Sequence, residues 1–173
     1  MKKIIAIIIC IIAICVCLTG CGSKAPTFIL LEGGGISLSE STDNSSLKEL
    51  ENKLMAVKIE GTDETLFESV KISENKGIFY NSYRFMATTK QQNVERELKL
   101  TVSMSGSVAG VKNGIIEGKQ VVFPIKDLSQ QLDFNAEFEE NNTSVIFGII
   151  IVLVIIMAAF FFFMKRGGNN DNY

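Results

Sequence analysis

The carboxyl-terminal region contains the segment that most limits what this chain can fold into. Val145–Met164 is a run of 20 residues without a charged side chain. As a helix rising about 1.5 Å per residue, the run is roughly 30 Å long, which matches the hydrocarbon core of a bilayer. Lys165 and Arg166 follow directly, and basic residues are typical of the cytoplasmic end of a span. We therefore predict a transmembrane helix over 145–164 and a cytoplasmic tail over 165–173, since a soluble core helix is seldom apolar on every side.

The amino terminus has the order of segments that defines a secretory signal. Lys2 and Lys3 are followed by the 15 apolar residues of Ile4–Leu18, and small residues then precede Cys21. An apolar run of this length is short for a bilayer span, which needs about 20 residues. We therefore predict a signal peptide over 1–20. An uncleaved signal anchor, in which Cys21 carries no modification, is the alternative.

The residues at the predicted cleavage point suggest a covalent anchor. Leu18, Thr19, Gly20 and Cys21 resemble the bacterial lipobox. In that family of signals the cysteine thiol receives a diacylglyceryl group with fatty acyl chains such as palmitate, and cleavage leaves this cysteine as the first residue. The resemblance implies lipid attachment at Cys21. With the predicted span, it places the middle of the chain outside the cytoplasm, held to the bacterial cell membrane by a lipid and by a single pass.

The connections between the predicted anchors and the middle region are short. Residues 21–26 hold the lipidated cysteine and a linker, and Asn141–Ser144 precede the predicted span. Four extended residues reach only about 13 Å, at about 3.3 Å per residue. We therefore expect the domain over 27–140 to lie against the lipid headgroups, with the membrane as its immediate partner.

The distribution of charges and cysteines excludes several classes of function. Of the 17 basic and 19 acidic residues, 13 and 18 lie in Gly22–Thr143, which gives this region a net charge of −5. An acidic domain without a basic stripe argues against a nucleic-acid partner. All four cysteines precede Gly22, and the chain has no histidine. Cleavage before Cys21 would leave one cysteine, so we expect neither an intrachain disulfide nor a thiolate metal cluster.

The sequence has no arrangement of residues that is typical of catalysis. Without histidine, a serine nucleophile lacks its usual base. Glu139 and Glu140 are neighbours on a predicted strand, so their carboxylates point to opposite faces. Glu49 and Glu51 are two residues apart on a predicted helix and diverge as well. Gly33-Gly34-Gly35 lacks the lysine of a phosphate-binding loop. We therefore expect no enzyme activity, no cofactor and no metal site.

The middle region has the alternation of apolar and polar residues that favours strands, with one segment of helical spacing. Ser46 and Glu49 form a capping box before an amphipathic helix predicted over Ser46–Glu60. A hairpin is predicted around Gly33–Gly35, and a turn at Glu74–Gly77. Further strands are predicted over Leu66–Ile72, Ile78–Thr88, Glu97–Met104, Val121–Ile125 and Gln131–Phe138. About seven or eight strands and one helix predict an α+β class, as an antiparallel sheet or a sandwich.

A set of aromatic residues lies on the apolar sides of the predicted strands. These residues are Phe79, Tyr83, Phe85, Phe123, Phe134 and Phe138. Burial in a packed core is the simplest explanation of such a set. If the sheet curls around a cavity, the same side chains would instead line a pocket for acyl chains. The sequence leaves both interpretations open.

Residues Glu97–Phe138 resemble a known family of bacterial domains. A strand is followed by Met104-Ser105-Gly106-Ser107-Val108, a glycine-punctuated hairpin, Val121-Val122-Phe123-Pro124-Ile125 and then Leu132–Ala136. This order is similar to the LppM-type lipoprotein domain, which combines a lipobox, a β-rich outer domain with a helix, and a carboxyl-terminal span. The family usually has proline before the glycine, where this chain has Ser105. The resemblance implies binding of membrane lipids or glycolipids and no enzyme activity.

Two functions therefore follow from the sequence. The first is a membrane-tethered, non-catalytic domain that binds a lipid or an envelope glycolipid, and it requires an apolar cavity or groove. The alternative is a protein-interaction or accessory subunit of an envelope complex, including immunity-type roles. That alternative requires an exposed apolar patch or an unpaired strand edge.

Overall fold

The computed structural model describes residues 27–34, 36–41, 46–93 and 97–167, and these contain nine strands and two helices. In chain order the elements are β1 (Phe28–Gly33), β2 (Ile36–Ser41), α1 (Leu47–Met55), β3 (Phe67–Lys76), β4 (Tyr80–Thr89), β5 (Leu98–Ser103), β6 (Ser107–Lys112), β7 (Ile115–Glu117), β8 (Gln120–Ile125), β9 (Asp133–Asn141) and α2 (Thr143–Gly167). The β-rich α+β prediction with one amphipathic helix is confirmed. The compact unit Lys24–Asn141 holds all the strands and α1.

The strands form two antiparallel sheets that face each other across one core. The five-stranded sheet has the order β2-β1-β5-β8-β7, and the four-stranded sheet has the order β3-β4-β9-β6. Phe123 of the first sheet contacts Phe85 and Phe134 of the second, with ring centroids 6.1 and 5.0 Å apart. The unit is therefore a β-sandwich, and buried side chains alternate with more exposed ones along strands such as β4 and β9.

Helix α1 lies across one open side of the sandwich. The Ser46 side chain caps it by accepting a hydrogen bond from the Glu49 N–H at 3.2 Å, and Leu50 and Leu54 are buried. Glu51 Oε2 accepts the Ile72 N–H of edge strand β3 at 3.1 Å. Lys53 Nζ lies 2.8 Å from Glu40 Oε2 on edge strand β2. The helix thus satisfies polar groups on the edge strands of both sheets, which protects those edges.

The helix is shorter than predicted, because the residues after it bond to a later part of the chain. The prediction of Ser46–Glu60 is wrong beyond Met55. The Val57 carbonyl accepts the Leu66 N–H at 2.8 Å, and Lys58 forms a β-bridge with Thr65. These long-range backbone bonds replace the i to i−4 bonds that would continue the helix.

Two connections between strands also differ from the predictions. The turn predicted at Glu74–Gly77 lies further along, because β3 continues to Lys76 and pairs there with Asn81. The glycine-punctuated region after Gly106 forms two strands, β6 and β7, which raises the strand count above the predicted number. Among the described strands, the short β7 pairs with β8 alone, over three residues.

Helix α2 begins earlier than the predicted span. The predicted linker Asn141–Ser144 is wrong, since β9 runs to Asn141 and α2 starts at Thr143. The Asn142 carbonyl accepts the N–H groups of Val145 and Ile146 at 3.1 and 3.2 Å, so Asn142 is the N-cap residue of the helix. By length and composition, the 20 residues of Thr143–Phe162 suffice to cross a bilayer, and none of them is buried within the protein.

Candidate functional site

The six aromatic residues expected to share one environment do not all lie together. Five of them are buried members of the core cluster: Tyr83, Phe85, Phe123, Phe134 and Phe138. The prediction is wrong for Phe79, whose side chain is 56% exposed. Phe79 precedes the first residue of β4 and belongs to the turn, so the alternation along the strand does not extend to it.

The five buried aromatic residues pack against other core side chains from both sheets. Phe85 and Phe138 are fully buried, as is Phe123 opposite them. The ring of Phe123 is tilted by 30° to Phe85 and by 48° to Phe134, within the range of favourable aromatic contacts. Mutual packing of this kind accounts for the burial of Phe85, Phe123 and Phe134.

The first strand of the sandwich begins, and the last strand ends, at the same end of the sandwich. Phe28, the first residue of β1, pairs with Ser103 at the end of β5. Three residues, 104–106, then carry the chain to Ser107 in the other sheet, and Ser107 pairs with Glu139 near the end of β9. We call this end of the sandwich, where several strands begin or end, the terminal edge. It is formed by Phe28, 103–107 and 139–141.

A close approach of two backbones holds the sheets together at the terminal edge. Gly106 has a φ of +99°, which side-chain-bearing residues rarely adopt. A Cβ atom on Gly106 would overlap the carbonyl oxygen of Glu139 on β9. Glycine is therefore required where the chain crosses from β5 to β6.

The turn of the β3–β4 hairpin lies at the terminal edge and carries exposed apolar side chains. Tyr80 pairs with Asn141, the last residue of β9. The Gly77 N–H donates to the Tyr80 carbonyl across the turn at 3.0 Å. Ile78, Phe79 and Tyr80 are 67%, 56% and 52% exposed. We call these three residues the apolar apex.

One tyrosine beside the apex is tied to acidic side chains. The Tyr83 hydroxyl donates to Glu140 Oε2 at 3.4 Å, and the side chain is buried. Burial, followed by the nearby carboxylates of Glu74 and Glu140, raises the pKa of Tyr83 to about 12. The phenol therefore stays neutral and acts as a hydrogen-bond donor that orders this end of the hairpin.

Exposed apolar side chains also lie on both faces of edge strand β7. Ile115 and Ile116 are 55% and 51% exposed, and Val111 on β6 is partly exposed nearby in the chain. Because β7 pairs only with β8 among the described strands, its outer backbone groups form an open edge of the five-stranded sheet. Helix α1 covers the edge strands on the other side of the sandwich, and no comparable element of the described chain covers β7.

The carboxylates considered as acid–base pairs have separate partners. Glu139 is exposed, whereas Glu140 accepts from Tyr83. Glu49 lies 3.6 Å from Lys53, and Glu51 accepts from the Ile72 backbone. Among the described residues, no group of three or more Asp, Glu, Cys or His side chains is placed to hold a metal ion.

Sequence reasoning missed the apex as a surface, although a signal was present. Ile78, Phe79 and Tyr80 follow Gly77 as three consecutive large side chains, which breaks the period of two expected for a half-buried strand. Ile115 and Ile116 are also consecutive apolar residues and break the same period.

The predicted lipid site at Cys21 and the lipobox residues Leu18, Thr19 and Gly20 lie outside the described residues.

Comparisons with known proteins leave the chain without an assigned relative. No family model matches it, and no curated protein or solved structure matches it either. The resemblance to LppM-type domains therefore stays a prediction that rests on the residues of 97–138 and on the order of the anchors.

Proposed function

We propose that this protein is a membrane-tethered extracytoplasmic lipoprotein whose sandwich is a non-catalytic binding domain at the outer face of the bacterial cell membrane. One observation carries the proposal: the chain enters and leaves the sandwich at the same edge. Phe28 of β1 pairs with Ser103 at the end of β5. Residues 104–106 connect Ser103 to Ser107, which pairs with Glu139 near the end of β9. A domain with both ends at one edge can be tethered twice to a single membrane without being stretched.

The two tethers in this proposal are different in strength. Helix α2 crosses the bilayer, and its basic end at Lys165 and Arg166 faces the cytoplasm. Cys21 carries the lipid and lies seven residues before Phe28, within about 23 Å of it when the chain is fully extended. A single acyl anchor is reversible, whereas a spanning helix is not. The helix retains the protein, and the lipid keeps the amino-terminal end near the surface.

Of the two expected ligand classes, an envelope protein has the more direct support. The alternative required an exposed apolar patch or an open strand edge, and β7 is an edge strand that carries the exposed side chains of Ile115 and Ile116. Such an edge fits a partner that adds a strand to the sheet. We therefore propose an accessory or interaction role, with β7 as the binding edge.

Binding of a lipid or glycolipid is the second candidate. The LppM-type resemblance supports it, as does the position of the domain beside a bilayer. The buried packing of Phe85, Phe123 and Phe138 weakens the version in which they line an internal cavity. A lipid ligand would more readily contact exposed apolar side chains at the surface.

The tethers are tested first, in cells that express the full chain. Metabolic labelling with a radioactive fatty acid should mark the protein, and Cys21→Ser should abolish the label, while Cys17→Ser in the leader should leave it. A tag after Tyr173 should resist protease added to intact cells. A label that survives Cys21→Ser, or a tag digested from outside, contradicts the proposed topology.

The binding edge is tested by photo-crosslinking in the same cells. A crosslinker at Ile115 should give one dominant protein adduct, and a crosslinker at Lys71, exposed on β3, should not. Ile116→Lys should remove the adduct, because it places a charge in an apolar contact. Equal adducts from both positions, or one unaffected by Ile116→Lys, would argue against β7 as the binding edge.

A further inference from the structure

The apolar apex has a composition that hairpin turns rarely show. Tight turns favour glycine, asparagine, aspartate and serine, because these residues suit the backbone geometry and face water. Here Ile78 and Phe79 occupy the two central positions of the turn, and Tyr80 follows directly. Each side chain is more than half exposed within the protein. Core packing therefore does not account for three consecutive large apolar or aromatic residues.

The position of the apex identifies what it faces. Tyr80 pairs with Asn141, and α2 begins at Thr143. Two residues of extended chain reach at most about 7 Å, so the first turn of α2 starts near the apex whatever direction the helix takes. If α2 spans the bilayer, as the proposed function holds, the membrane surface begins at the edge of the sandwich that carries the apex.

We propose that Ile78, Phe79 and Tyr80 insert into the interfacial region of the lipid bilayer as a third anchor of the domain. This inference rests on the proposed function for the position of the membrane. Apolar and aromatic side chains that bind at an interface reach about 5–10 Å into the boundary between headgroups and acyl chains. Tyrosine is enriched at that level, because its ring is apolar and its hydroxyl remains hydrated.

The charges near the apex indicate how it holds the bilayer. Lys76 lies 3.7 Å from Glu74 on the same strand, so its charge is partly compensated. Glu139 and Glu140 lie on the neighbouring strand at the terminal edge. Because the described groups are of mixed sign and mostly acidic, electrostatic attraction to anionic lipids does not drive the contact. The contact is driven by the insertion of apolar side chains, which does not require charged lipids.

A third contact changes what the tethers can achieve. A lipid and a helix hold the sandwich at two points, about whose connecting line it can still rotate. An inserted apex adds a third contact with the bilayer at the terminal edge, through the residue that pairs with Asn141. The rigid turn supports this role, because the Gly77 N–H bonds to Tyr80 and a Cβ at Gly77 would overlap the Tyr80 carbonyl oxygen.

The absence of tryptophan from the chain allows a direct test. The full chain with Phe79→Trp is reconstituted into phosphatidylcholine vesicles that contain lipids brominated on the acyl chains. Val111→Trp is the matched control: it is an exposed apolar position, and its partner Ala136 lies five residues, or about 17 Å, before Asn141. We expect bromine to reduce the fluorescence of Trp at 79 by about twofold or more, since the insertion depth brings it to the acyl chains, and to leave Trp at 111 unchanged.

The outcomes separate the inference from the function on which it rests. Protease added to the same vesicles reports whether the tail after α2 is on the far side from the sandwich. A correctly spanning chain whose Trp at 79 is quenched no more than Trp at 111 overturns the third anchor and leaves the proposed topology intact. A chain that does not span overturns both. An apex that docks on another protein gives the unquenched result, because these vesicles contain no other protein.

A second reporter guards against a local effect of one substitution. Tyr80→Trp, one residue further along the apex, should be quenched in the same vesicles, and raising the salt concentration should leave the quenching unchanged. Quenching that disappears in high salt would overturn apolar insertion, since salt screens charge contacts and not apolar burial.

Discussion

Phe79 and Phe85 belong to the same hairpin and are the same residue type, yet they occupy opposite environments. Phe85 is fully buried between the two sheets, and Phe79 is 56% exposed at the turn. Phe85 contacts Phe123 across the sandwich. The last paired residues of the hairpin are Lys76 and Asn81, and Phe79 lies in the turn between them. In this hairpin, the aromatic residue that faces the second sheet is buried, and the one at the turn is exposed.

The difference also separates residues that stabilise the fold from residues that are available for binding. The side chains of Tyr83 and Phe85 are explained by burial inside the sandwich. The exposed side chains of Ile78 and Phe79 are not, and we have assigned them to the bilayer. The stability of the sandwich, measured by denaturant unfolding of the full chain in detergent micelles, tests this division.

The largest effect is expected at the buried end of the comparison. Phe85→Ala should lower the free energy of unfolding by about 3–5 kcal/mol, because it removes a fully buried ring and leaves a cavity against Phe123. The midpoint of the denaturation curve measures the change. A loss below about 1 kcal/mol would mean that the core is loosely packed, and it would revive the internal cavity.

The next effect concerns the junction that places the apex at the terminal edge. Gly106→Ala should cost about 3 kcal/mol or more, because the new Cβ meets the Glu139 backbone and φ is positive. Gly118→Ala is the matched control. Its φ of +65° is also positive, but nothing lies within 4 Å of the added Cβ, so about 1–2 kcal/mol is expected. Equal losses in unfolding free energy would contradict the close approach of β6 and β9.

The buried tyrosine beside the apex should make stability depend on pH. Its pKa is raised from 10.0 to about 12 in the folded protein, so folding favours the neutral phenol. This contribution is complete below pH 10 and is lost as the pH rises from 10 to 12, at about 1–3 kcal/mol in total. Tyr83→Phe should flatten the decline in unfolding free energy over that range. An unchanged slope would show that Tyr83 is not buried against the carboxylates of Glu74 and Glu140.

The smallest effect is expected at the exposed end of the comparison. Phe79→Ser should change the free energy of unfolding by less than about 0.5 kcal/mol, because the side chain makes no core contact in this register. The same denaturation measurement as for Phe85→Ala provides the direct contrast. A loss of several kcal/mol would place Phe79 in the fold and remove the basis for the apex as a binding surface.

Particular elements show how far the sequence predicted the fold. Three features could be predicted from the sequence, because each depends on local spacing. They are the capping box of Ser46 and Glu49, the alternation of Leu98 and Leu100 on β5, and the apolar run of α2. The end of α1 could not be predicted from the sequence. In place of its last predicted turn, the Val57 carbonyl accepts a hydrogen bond from the Leu66 N–H, which forms only in the tertiary structure.

The candidate site divides in the same way. Length and composition sufficed to predict a helix long enough to cross a membrane, because both can be counted along the chain. The lipid attachment at Cys21 stays a prediction. Only the tertiary structure decided that Phe28, Asn141 and the apolar apex share one edge. Strand pairing between distant residues sets that arrangement, and the period of two along each strand contains no information about which strands will be neighbours.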